Sequence, residues 1–311
     1  MTDQTIGRGV GKVTEIKGRS LWDDARRRLF ANKAAVTSMI LLVLMILMAI
    51  IGPSLSPHDI RDQNYAYTSG APSLSAPTEE GGTTIYLFGT DANGRDIFSR
   101  TWFGARISLA IGFIATSVSL MIGVIYGATA GFIGGRLDNL MMRFVDVLYS
   151  IPFMFIVIIL MVIFGRTGGW QNILLLFAVI GAVEWLTMAR IVRGQTLSIK
   201  QKEFIEAAEA AGVGRGTIIR RHIVPNVLGP VVIYVTLTIP AVILTESFLS
   251  FLGLGVQEPF TSWGRLIAEG AQEINTAPWM LAFPALLMAI TLFCFNFIGD
   301  GLRDALDPKD R

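Results

Sequence analysis

The sequence predicts an all-α polytopic membrane protein with six transmembrane helices and both termini cytoplasmic. Three observations carry that expectation. Apolar residues make up 52% of the chain and charged residues 16%, against about 25% charged in a soluble domain, and the deficit is concentrated in long apolar runs. Six runs are long enough to cross a hydrocarbon layer of roughly 30 Å, near residues 34–51, 107–131, 144–164, 172–189, 227–252 and 279–298. With the N-terminus placed inside, 20 of the 26 Lys and Arg residues fall in inner segments, which is the positive-inside asymmetry. An odd number of spans would put the ends on opposite sides and lose it. Inside the hydrocarbon every backbone amide needs an internal partner, so the runs are expected as helices.

The expected organisation is a cytoplasmic tail over 1–33 and a six-helix membrane domain over 34–311. Residues 1–19 are polar and aperiodic and are expected to be disordered. Over 20–33, Ser20 and Asp23 have capping-box spacing. Leu21, Trp22, Ala25, Leu29 and Phe30 can share one side of a helix, flanked by Arg26, Arg27, Arg28 and Lys33. That pattern suits a helix in the inner headgroup layer, or a plain basic flank that sets topology. Ser54-Leu-Ser56 has the look of a signal cleavage site. About 33 residues precede the apolar run, too many for a signal n-region, so the first span is expected to stay.

The outer segment 53–106 is rich in Pro, Ser and Gly and ends in Phe88-Gly-Thr-Asp-Ala-Asn-Gly-Arg-Asp96. Its oxygen-rich residues lack the glycine and closing Glu spacing of a calcium loop, so a structured turn is expected there.

In the second span Gly123, Gly127, Gly131 and Gly135 recur every four residues, a bare stripe for close helix packing. Pro152, Pro240 and Pro284 fall in the third, fifth and sixth spans, where each can kink its helix. Glu184 lies in the fourth span and Glu246 in the fifth. Each either lines a translocation path or is satisfied by a neighbouring helix. Cys294, the lone cysteine, has no disulfide partner and reads as a packing residue.

Several chemistries are excluded. Near-neutral net charge of +2 gives no case for nucleic acid. Gly11-Lys12-Val13 is the chain's one Gly-Lys pair and lacks the rest of a phosphate loop, so no ATP site is expected here. Two histidines make a histidine metal site improbable. No catalytic motif is present, and no span carries the charge series of a proton relay.

The inner loop 190–226 is unlike a simple connector. Lys202–Ala211 favours helix, Gly212 is placed to end it, and Thr217–Ile223 can form a second short helix before Pro225 opens the fifth span. On the first helix Glu203, Glu206, Ala207 and Ala210 share a face. Alanines allow close approach and glutamates offer charge-assisted contacts, which together point to a docking device.

Glu206-Ala-Ala-x-x-x-Gly212, then nine residues, then His222-x-Val224-Pro225 resembles the EAA loop of binding-protein-dependent ABC import permeases, with His222 where the general motif has Ile and Val224 where it has Leu. His222 before Pro225-Asn226, Phe88-Gly-Thr-Asp-x-x-Gly-Arg-Asp96 and Ser247-Phe-Leu-Ser-Phe-Leu-Gly-Leu-Gly255 resemble the peptide and nickel subfamily. The likeness runs from Gly18-Arg-Ser-Leu-Trp22 to Phe297-Ile-Gly-Asp-Gly-Leu-Arg-Asp-Ala-Leu-Asp-Pro308. It implies a type I importer permease fold in a bacterial inner membrane. It also implies a homologous second permease, two cytoplasmic ATPase subunits gripping the EAA loops, and an external peptide-binding protein. ATP and Mg would sit on the ATPases. The docking set would be Glu203, Glu206, Ala207, Ala208, Ala210, Gly212, His222 and Pro225. The resemblance favours oligopeptide cargo; dipeptide, cell-wall peptide and nickel are the alternatives within it. A self-sufficient channel or secondary carrier is the rival of another class, and inverted repeats expected of many carriers are not evident.

Overall fold

The structure, a computed structural model, describes residues 21–164 and 170–306. The tail 1–19, the Ser20 cap and the last motif residues 307 and 308 lie outside them.

A basic helix α1 (Leu21–Ala31) leads into the first span, α2 (Lys33–Ile51). Asn32 separates them: its backbone is extended, and its Oδ1 accepts the Ala35 N–H at 3.2 Å, an N-cap that starts a new helix. Ala25 is buried and Leu29 half-buried, with Leu29 near Gly301 of the last helix. Phe30 is exposed, so it does not join Ala25 and Leu29 on the packed side.

The outer segment folds as a hairpin of β1 (Ser73–Pro77) and β2 (Thr83–Tyr86), followed by the turn at 90–96. That turn is built on Asp91. Its Oδ1 accepts the N–H groups of Asn93 at 2.8 Å and Arg95 at 2.9 Å, and its Oδ2 meets Arg95 Nε at 2.7 Å and Arg100 Nη1. The oxygens are thus spoken for by amides and guanidinium groups. Arg95 also reaches Glu258 at 3.0 Å and holds that carboxyl below its usual range.

The second span is longer than its hydropathy shows. α3 (Ile97–Ile133) begins ten residues before the apolar run, capped by Asp96. Arg106 wraps back over the end of α2, donating to the carbonyls of Ala49 at 3.2 Å and Ile50 at 2.9 Å, which satisfies groups a helix end leaves open.

The third span is not one helix. α4 (Gly135–Ser150) and α5 (Phe153–Phe164) meet at 76°. Pro152 drives Ile151 out of the helical region, to φ −86° and ψ 123°. The five unbroken spans are α2, α3, α6 (Trp170–Lys200), the helix running from Arg215 through α9 (Val224–Phe251), and α11 (Trp279–Leu306); the bent pair supplies the sixth.

Helices α3 and α6 run parallel, since Gly181 faces Ala115 and Val118, Gly123 faces Met188, and Gly131 faces Thr196. A Cβ on Gly123 would come within 2.5 Å of Met188, and on Gly131 within 2.9 Å of the Arg193 carbonyl oxygen, so the bare stripe sets the close approach. Gly135 does not belong to it. Nothing lies within 4 Å of its Cβ position, and its φ of +63° after +70° at Gly134 makes it half of the left-handed turn into α4.

On the outer side the short helix α10 (Trp263–Gln272) folds under α3. Fully buried Trp263 donates its indole N–H to the Thr101 carbonyl at 3.1 Å. Cys294 lies buried in the cluster that joins α2, α3, α9 and α11.

Candidate functional site

The inner loop forms an elbow. After α6 ends, Lys202 is extended and opens α7 (Glu203–Ala210). The helix closes with Gly212 at φ +75°. The Gly212 N–H donates to the Glu209 carbonyl at 2.9 Å and the Val213 N–H to the Ala208 carbonyl at 3.1 Å, the paired bonds of a Schellman stop. Val213 and Ala208 both pack on the same apolar cluster, the contact that accompanies this stop.

Beyond Gly212 the chain does not form a second, separate helix. α8 (Arg215–Ile218) passes through a π segment at Ile219–Ile223 directly into α9, so the predicted short helix is the inner end of the fifth span. The wider π turn fits Pro225, which has no N–H for the ladder. The Asn226 side-chain amide donates to the His222 carbonyl at 2.6 Å.

Four fully buried side chains fasten the elbow: Ile205 from α7, Ile218, Ile223 and Val227 from the helix beyond. They pack on Val124, Ala128 and Phe132 of α3 and Met188 and Val192 of α6. Fully burying an aliphatic side chain is worth roughly 1.5–3 kcal/mol. The elbow is therefore held to the α3/α6 pair by core packing rather than by charge.

The other side of α7 is open. Glu203, Glu206, Ala207 and Ala210 are all exposed, as are Glu209 and Gly212. Ala208 stands apart, half-buried against the cluster, so it does not share their face. His222 is half-buried, its ring 6.5 Å from that of Phe204, and Pro225 is exposed on the adjoining helix.

A second connection is not visible in the sequence. Arg193 of α6 grips Asp138 of α4 through Nε at 2.6 Å and Nη2 at 2.7 Å, and Lys200 donates to the Phe132 carbonyl at 2.6 Å. Asp138 and Arg193 are 55 apart in the chain, and no local spacing signals the pair.

Glu184 and Glu246 have different settings. Glu246 is fully buried, accepting hydrogen bonds from the hydroxyls of Ser250 and Ser262 at 2.7 Å each and Ser108 at 3.4 Å. It ties α9 to α10 and α3 and lines no open path here. Glu184 is half-buried on a cavity of about 210 Å³ shared with Leu148, Tyr149, Ile151 and Thr187, beside the α4/α5 break. The Tyr149 and Thr187 hydroxyls are hydrogen-bonded, and Arg190 lies 4.0 Å from the Tyr149 ring centre while pairing with Asp146 at 2.7 Å. Among the described residues no cluster of metal-ligating side chains is present.

Comparison with known proteins places these features in a wider set. The profile of the binding-protein-dependent transport system inner membrane component matches residues 119–311, and that of the N-terminal membrane domain of oligopeptide transport permease C matches residues 20–77. The chain is 55% identical to the oligopeptide transport system permease protein OppC of Escherichia coli K12, over 96% of this chain and 94% of that protein. It is 54% identical to the same-named protein of Haemophilus influenzae, over 96% and 91% respectively. It is 46% identical to the dipeptide transport system permease protein DppC of Bacillus subtilis, over 94% and 87%. Among solved structures, an inward-facing form of the MetNI methionine ABC transporter superposes with a TM-score of 0.52 at 22% identity, over 66% of this chain and 94% of that one, a likeness of fold.

Proposed function

The chain belongs to the family of binding-protein-dependent transport system inner membrane components, and from that membership and the geometry of its elbow we propose that α7 is where a separate ATPase takes hold of it. The protein is a multi-pass inner-membrane permease subunit of an ABC importer, a transport component and not an enzyme. Other subunits of the importer, an ATPase among them, work with it. Its cargo is oligopeptide, the substrate in the names of its OppC relatives; the dipeptide permease lies further off in identity.

The finer assembly is one homologous second permease, two cytoplasmic ATPases and an external peptide-binding protein. ATP and Mg would be held by the ATPases, in keeping with a sequence that has no phosphate loop. Glu203, Glu206, Ala207, Ala210, Gly212, His222 and Pro225 would form or shape the docking face. The observation that carries this reading is the contrast within α7: its inner side is sunk into the α3/α6 core through Ile205, while its acidic side is bare. A passive loop needs neither feature. Glu184, on the cavity at the helix break, would line a path shared with the second permease.

Mechanically, docked α7 moves with its ATPase, and the buried isoleucines pass that motion to α3, α6 and α9. ATP biases the bundle only insofar as the docked contact differs in energy between its states. The test is a cysteine at Ala207. Native Cys294 is buried, so A207C is the accessible thiol, and in the co-expressed complex it is expected to cross-link to an ATPase chain. Cross-linking to lipid or to nothing, with the complex intact, would overturn the assignment.

A further inference from the structure

Between α2 and α11, at the inner end of the bundle, lies a groove of about 520 Å³ that the transport reading does not use. Its size is that of a small-molecule site, and its walls are almost wholly apolar. Leu41 comes from α2, and Ile290, Phe293 and Phe297 from α11, with buried Cys294 alongside. Phe293 and Phe297 remain 62% and 49% exposed. Lys33 stands at the rim, in the first turn of α2, which carries no acidic residue. It is exposed and makes no ion pair with any described residue. Asp300, further along α11, is exposed but does not meet it. Midway along α1, Arg26 sits over the ring of exposed Phe30, 5.8 Å from its centre, an apolar stem with a cationic head suited to the headgroup layer. The positive-inside asymmetry puts these groups at the cytoplasmic leaflet, which holds the anionic lipids.

We propose that this groove is a site for an anionic glycerophospholipid, one acyl chain lying between Leu41 and the Phe293–Phe297 wall and the phosphate on Lys33. Every exposed apolar face of a span meets acyl chains. This one differs in being concave, with a cation at the mouth that no described residue pairs, so it selects a headgroup as well as a chain. The proposal rests on the membrane assignment and not on the docking role of α7. An apolar helix of the companion permease is the other occupant the shape admits, and it would leave Lys33 without a counter-charge.

The experiment uses the full complex in vesicles of phosphatidylethanolamine and phosphatidylglycerol mixed in a fixed ratio. Phe293 is replaced by the photo-crosslinker p-benzoylphenylalanine, and the adducts are identified by mass spectrometry. Phosphatidylglycerol adducts are expected to exceed their share of the bulk by about fivefold, the factor given by ~1 kcal/mol for a basic residue at an anionic surface. K33Q should abolish that excess without reducing total lipid adducts. L41W, filling the groove from an exposed position, should reduce adducts of both lipids. Adducts in bulk proportion and indifferent to K33Q would overturn the proposal, and so would adducts to a protein chain. ATPase cross-linking through A207C, measured in the same preparation, keeps failure here distinct from failure of the docking assignment.

Discussion

Asp138 and Arg193 face each other through two parallel hydrogen bonds of 2.6 and 2.7 Å, joining the first turn of α4 to the inner half of α6. This fork geometry is the strong form of a carboxylate–guanidinium contact, and Asp138 contributes it from a buried position. It anchors the bent third span to the same helix pair that holds the elbow.

A double-mutant cycle over D138N and R193Q should therefore give a coupling energy, within the roughly 0.5–3 kcal/mol seen for residues in contact. The measurement is denaturant unfolding of the solubilised chain. Simple additivity of the two substitutions would mean the pair carries no coupling. R193K should recover only part of the loss, since lysine cannot form the fork.

E206K reverses a charge on the exposed side of α7 without touching the cluster behind it. Uptake of labelled peptide should fall at least tenfold, a loss of roughly 1.4 kcal/mol or more in coupling if uptake follows docking. Membrane insertion and amount of protein should be unchanged. Normal uptake would remove α7 as the docking face.

G212V forces a β-branched residue to φ +75°, at a cost of roughly 1–2 kcal/mol for the left-handed region and more for the branch. No neighbour lies within 4 Å of the added Cβ, so the strain is purely backbone. ATP hydrolysis in the reconstituted complex should continue while transport drops. G212N should retain most coupling, because asparagine tolerates this conformation. Equal behaviour of the two variants would contradict the account.

G127L and G194L offer a matched contrast. A Cβ on Gly127 would run into Val192 and the Arg193 backbone at 2.9 Å, whereas nothing lies within 4 Å of Gly194. G127L should prevent stable assembly of the subunit, seen as loss of a monodisperse peak on size exclusion. G194L should keep it. A well-folded G127L would mean that α3 and α6 do not approach as closely as the bare stripe implies.

The number of spans and the Gly212 stop are legible in the sequence because each is local: a run of apolar residues, or one glycine after a helix-favouring stretch. Features that depend on distant partners are not. Residues 97–106 hold Arg100 and Arg106 and are too polar to read as part of a span. Yet Arg100 is buried against Asp91 and Glu269, and Arg106 closes the end of α2. Pro225 reads as a helix start, and only the π turn before it allows one continuous helix. The exposed positions of Glu203, Glu206, Ala207 and Ala210 follow from helix periodicity. The burial of Ala208 follows from where the cluster lies. Sequence leaves Glu246 open between a path residue and a satisfied one. Ser108, 138 residues away, and Ser262, beyond the end of the span and 16 residues on, decide between them.

The stretch from Arg215 to Phe251 is a single piece of 37 residues, at most about 55 Å long at 1.5 Å per residue. Its inner tip is beside α7 and its outer end beside the Glu246–Ser262 knot. Tilting such a rod by only about 5° about one end sweeps the other through roughly 5 Å, by the same length. A displacement small enough to be produced at a protein–protein contact thus reaches the opposite face of the membrane as one large enough to part neighbouring side chains.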